Sequence, residues 1–85
     1  MPSKTVTVGS KIGLHARPAA LIAEAATSAE SAVTIATEGG TPVDAGSALM
    51  IMTLGAKFGD EVVVASDDQA SLDKVADLVE QDLDA

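Results

Sequence analysis

Apolar and polar residues alternate from Lys4 to Val8, with Val6 and Val8 on one side and Thr5 and Thr7 on the other. That period predicts a strand. Gly9 to Gly13 is a glycine-punctuated loop. From Pro18 the alanine-rich run Ala19 to Ala26 has high helix propensity, and positions 19, 22, 23 and 26 share one stripe that should face a core. Arg17, Ala20, Leu21 and Glu24 lie on another face. Val33 to Thr37 alternates again and ends at Glu38-Gly39-Gly40, a glycine turn of hairpin type. Thr41 to Val43 would be the return strand, with Pro42 marking it as an edge. Ser47 to Leu54 is a short helix, with Ser47 placed to cap its first turn and Gly55 to stop it. Lys57 to Asp60 forms a turn and Glu61 to Ala65 a valine-rich strand. Asp67 and Asp68 offer N-caps for a last helix, along which Leu72, Val75, Ala76, Val79 and Leu83 recur at helical spacing.

The order is therefore β-α-β-β-α-β-α, within a chain of 85 residues that predicts one domain over 1–85. The hairpin calls for antiparallel pairing, and the helices can bury their stripes on one face of a four-stranded sheet. The result is a two-layer α+β fold. The split β-α-β pattern resembles the ferredoxin-like topologies, a likeness that carries no function by itself.

Composition sharpens this. Hydrophobic residues make up 47% of the chain and Phe58 is the one aromatic, so Ala, Val, Ile, Leu and Met must fill the interior. No apolar run approaches the roughly 20 residues that cross a bilayer. The absence of cysteine excludes disulfides, thiolate metal sites and thiol catalysis. A cytoplasmic protein is expected. The net charge of −8 resides from Asp60 onward, where nine acidic residues face Lys74 alone. Nucleic acid is a poor partner for such a chain, since backbone binding needs clustered Lys and Arg. The acidic stretch reads as a solvated helix face.

One constellation carries chemistry. The single histidine, His15, stands in Gly13-Leu14-His15-Ala16-Arg17-Pro18-Ala19-Ala20. Proline is tolerated in a first helical turn, whose N–H groups have no intrahelical partner. His15 is thus placed near an N-cap, with the free amides of Ala16 and Arg17 beside it. A helix N-terminus favours anions, and Arg17 adds a planar fork of donors suited to phosphate oxygens. The parts fit a reversible phosphoryl site. By spacing alone, a lone histidine at a helix start is more often a cap or a surface residue than a catalytic one.

The run Gly13 to Ala20 resembles the active-site signature of the HPr family, the histidine-containing phosphocarriers of the bacterial phosphoenolpyruvate-dependent sugar phosphotransferase system. Ser47-Ala48-Leu49-Met50-Ile51-Met52-Thr53-Leu54-Gly55-Ala56 is similar to the family's regulatory serine and the short helix after it, and Gly59-Asp60-Glu61-Val62 extends the likeness over nearly the whole chain. The resemblance implies an open-faced β-sandwich and a carrier rather than an enzyme, with no cofactor and no metal. It implies that His15 takes phosphate through Nδ1 from phosphorylated enzyme I and passes it to sugar-specific IIA proteins or domains, with Arg17 assisting. The implied docking surface is Ala16, Ala20, Leu21, Ser47, Ala48, Leu49 and Met52, and a monomer is expected.

Ser47 keeps two readings. As an N-cap it would contribute about 1 kcal/mol. By resemblance it is a regulatory phosphorylation site for a serine kinase, the modified form then meeting a transcription regulator. Gly46 stands where the family commonly has a basic residue and Ala48 where a larger apolar one is usual. Two other classes stay open on the residues alone. An acyl-carrier-like module would use Ser47 as its attachment point, but it would be helical and would carry Asp before the serine. An anion-sensing α+β domain would use His15 and Arg17 without covalent chemistry.

Overall fold

A computed structural model describes residues 2–29 and 31–81. Four strands form one sheet: β1 (Ser3–Thr7), β2 (Val33–Thr37), β3 (Val43–Asp44) and β4 (Glu61–Ser66). Three helices accompany them: α1 (Ala16–Thr27), α2 (Ala48–Thr53) and α3 (Gln69–Glu80). The strand order is β1-β4-β2-β3 and every pairing is antiparallel. β1 and β2 therefore run parallel with β4 between them, a split β-α-β unit.

The period-2 pattern sets the two faces of the sheet. Val6, Val62, Val64, Val33 and Ile35 point into the core. Thr5, Val63 and Ala36 align in register across the other face, with no helix over them. The sandwich is open on that side. α3 packs against β1 and β4, α1 against α3 and α2, and α2 against β3. Ala19, Ile22, Ala23 and Ala26 of α1 are buried, as are Leu72, Val75, Ala76 and Val79 of α3. Leu83, assigned to the same stripe, lies outside the described residues. The buried core is wholly aliphatic, since Phe58 sits outside it with 59% of its surface exposed.

Three boundaries differ from the sequence pattern. β1 is Ser3–Thr7 rather than Lys4 to Val8, although the Val8 N–H still donates to the Asp60 carbonyl at 2.9 Å. The return strand is Val43–Asp44 rather than Thr41–Val43: Ile35 pairs with Val43 and Thr34 with Asp44, and Pro42, which has no N–H to give a ladder, falls in the turn. β4 continues to Ser66, which pairs with Val33.

α2 has six residues, too few to be stable alone. It is held by the fully buried Ile51, whose side chain contributes roughly 2 kcal/mol by burial, and by Ser47, whose Oγ accepts from the Met50 N–H at 3.3 Å. In the first loop, the Gly9 N–H donates to the Val79 carbonyl at 3.0 Å. A Cβ on Gly9 would lie 1.9 Å from the Glu80 carbonyl oxygen, so only glycine permits this approach of the first loop to the end of α3.

Candidate functional site

His15 is the N-cap of α1, in extended backbone with φ −89° and ψ −168°. Its carbonyl accepts the first helical bond, from the Ala19 N–H at 2.9 Å. Its ring makes no capping bond and is exposed. The amides of Ala16 and Arg17 have no acceptor among the described residues, as the geometry of a helix start requires. The exposed Arg17 guanidinium is without an ion pair among those residues. An imidazole, two open N–H donors and an unpaired guanidinium thus stand within three consecutive residues.

The loop that delivers His15 is fixed by backbone bonds. The Gly13 N–H donates to Ser10 O at 2.8 Å, Leu14 N–H to Ala56 O at 3.0 Å and His15 N–H to Gly13 O at 2.9 Å. Gly13 has a φ of +79°, and a Cβ there would come within 2.5 Å of Ala56 O. The buried Leu14 anchors the loop to the core and leaves its neighbour His15 outside.

A groove runs from His15 across to the end of α2, lined by Ile12, Leu14, His15, Met52, Gly55, Ala56 and Lys57. α2 packs on α1, which brings the second helix to the flank of the first. On α1, Ala16, Ala20 and Leu21 are exposed, with Leu21 at 38%. On α2, Leu49 is 69% exposed, and Ser47, Ala48 and Met52 are half-buried. Of the Met50-Ile51-Met52 run, Ile51 alone enters the core. Gly46 is explained locally. Its N–H donates to Asp44 Oδ1 at 2.8 Å, and a Cβ would press on that oxygen and on Thr27 Cγ2, each at 3.1 Å.

Sequence reasoning passed over Ile12 and the 55–57 segment. Ile12 is 60% exposed and lines the groove beside His15. The chain pattern carries no sign of this, because the contact joins residues some 40 positions apart through the Leu14–Ala56 backbone bond. Among the described residues, no group of three His, Asp or Glu side chains could hold a metal ion. No helix among them is long and apolar enough to cross a membrane.

Comparison with known proteins agrees with this geometry. A family model described as "PTS HPr component phosphorylation site" matches residues 2–81. "Phosphocarrier protein HPr" of Streptomyces coelicolor is 45% identical over 87 aligned positions, covering 99% of this chain and 94% of that protein. The crystal structure of HPr-C-His from Thermoanaerobacter tengcongensis superposes with a TM-score of 0.88 at 31% identity, covering 100% of this chain and 98% of the other. The phosphocarrier protein HPr of Bacillus anthracis gives 0.82 at 33% identity, covering 92% and 95%.

Proposed function

Since the chain belongs to the HPr family of the phosphotransferase system, a phosphocarrier family and not one of catalytic enzymes, we infer that His15 is its phosphoryl acceptor. The observation that carries this is the uncapped start of α1, where, among the described residues, an exposed imidazole with no bonded partner adjoins two open amides and an unpaired guanidinium.

In this reading His15 Nδ1 attacks the phosphorus of phosphorylated enzyme I. A P–N bond forms as the donor's bond to phosphorus breaks, and the reverse sequence delivers the group to a IIA protein or domain. The amides of Ala16 and Arg17 and the Arg17 guanidinium hold the phosphoryl oxygens after transfer, charge-assisted bonds being the strong ones. The flanking apolar surface, with Ala16, Ala20 and Leu21 on α1 and Ser47, Ala48, Leu49 and Met52 on α2, is the docking face. Methionine suits a surface that meets several partners. The protein works as a cytoplasmic monomer, one domain presenting one site.

For Ser47, capping of α2 is the supported role, because its Oγ is already engaged by the Met50 amide. Incubation with enzyme I and labelled phosphoenolpyruvate tests the assignment. Acid-labile, base-stable label is expected on His15 and none on a folded His15→Ala variant. Label persisting in that variant would overturn it.

A further inference from the structure

Lys57 is a cation that the first helix does not supply. It lines the groove shared by His15. Its backbone is bonded there twice. The Lys57 N–H donates to Asp60 Oδ2 at 2.9 Å, and its carbonyl accepts from the Asp60 N–H at 2.9 Å. The neighbouring Ala56 carbonyl takes the Leu14 amide. The segment that carries Lys57 is therefore locked to the segment that carries His15. Asp60, the nearby carboxylate, is spent on the Lys57 backbone amide rather than on its ammonium. Among the described residues the Lys57 side chain has no ion pair and is exposed.

A free ammonium on a fixed backbone, in a groove whose other wall is the phosphoryl acceptor, is arranged to meet the charge that arrives there. We propose that Lys57 is a second cation of the phosphoryl site, contacting phosphoryl oxygens from the groove, which Arg17 does not line, once the group is on His15. This rests on His15 being the acceptor. Lys57 takes no part in bond making. It stays protonated while the P–N bond forms and the donor's bond breaks, and it contributes charge alone. Its effect belongs to the phosphorylated state, so it biases the position of the transfer equilibrium.

The test is the equilibrium between phosphorylated enzyme I and this protein, set up with labelled phosphoenolpyruvate and read by the ratio of label on each. Lys57→Met should lower the equilibrium constant about fivefold, the size of one solvent-exposed charge pair at contact distance. Lys57→Arg should restore it, and added salt should narrow the gap. Thermal melts of all three proteins should coincide, because the anchoring bonds of Lys57 are made by its backbone. An unchanged equilibrium constant in Lys57→Met overturns the proposal. So does a rise in KM for enzyme I without a change in equilibrium, which would put Lys57 against the partner and not the phosphoryl group. Failure of the parent to take label on His15 instead overturns the function on which the proposal rests.

Discussion

α1 and α3 are both twelve residues long, and they begin in opposite ways. At α3 the Asp68 carboxylate accepts from the amide of Ser71 and from its hydroxyl, closing the helix end with side chains from the helix itself. At α1 the cap position holds His15, whose ring bonds nothing, and two amides are left open. A capping Asp or Ser there would be worth about 1 kcal/mol. The chain forgoes it and steadies the loop through backbone bonds to Ser10, Gly13 and Ala56. On the proposed function, a side-chain oxygen at the first amides would occupy the place of a phosphoryl oxygen. One helix end is closed by its cap and the other is left open.

The most drastic way to erase this difference is His15→Asp. It gives α1 the start that α3 has, so the melting temperature should rise by about 4–8 °C for roughly 1 kcal/mol in a chain of this size. Acid-labile label should vanish altogether. A folded His15→Asp protein that melts below the parent would show that the α1 start does not want a cap.

Ser47→Asp moves charge onto the short helix beside the site. The new carboxylate keeps an oxygen acceptor for the Met50 amide, so stability should hold, whereas Ser47→Ala should lower it modestly. Acceptance of phosphate from enzyme I should slow by about 10–100-fold in Ser47→Asp, from burying an unpaired carboxylate against a docked partner. Ser47→Ala should be nearly as fast as the parent. Equal transfer rates in Ser47→Asp and parent would remove α2 from the docking face.

Arg17→Lys should have a smaller effect, slowing transfer about tenfold, the loss of one charge-assisted hydrogen bond. Melts should not change, since the guanidinium has no partner in the fold among the described residues. Equal rates in both directions would show that the planar fork is unused.

The smallest effect is at α3. Asp68→Ala should lower the melting temperature by a few degrees and leave transfer to His15 untouched. The Ser71 hydroxyl bond, outweighing desolvation and aided by the Ser71 and Ala70 amides, holds the Asp68 carboxyl below its ordinary value. The contribution of this cap is therefore complete above the unfolded aspartate range and is lost as pH falls through the lower folded value. The gap in melting temperature between parent and Asp68→Ala should stay level from neutral pH to about pH 5 and close below about pH 4. A gap that widens on acidification would contradict the cause given.

Much of this contrast was legible in the sequence. The stripes of α1 and α3 follow from a period of 3.6, and Ser47 and Asp68 stand where capping oxygens are needed. The eight residues from Gly13 to Ala20 marked the family. What could not be read is non-local. Nothing near residue 61 says that β4 will enter between β1 and β2, because that choice is made by which valine faces meet across the core. The groove escaped for the same reason: Lys57 reaches the flank of His15 only through bonds between two loops. The start of α1, by contrast, could be read locally: a proline in the first turn puts His15 at the cap, and Pro18 is the third residue of the helix.

The Gly9 contact has a consequence in time. The amide of Gly9 finds its acceptor on Val79, and β1 finds its sheet neighbour in β4, so the segments flanking His15 on its N-terminal side are completed by residues made well after His15 itself. While α3 is still inside the ribosome, the loop before His15 lacks the support at its base. A nascent chain can already contain the whole Gly13 to Ala20 signature before Gly9 has its acceptor and β1 its neighbour. On the proposed function, phosphoryl transfer would follow the closing of that contact, so that a molecule carrying the group is one in which Gly9 and Val79 have already met.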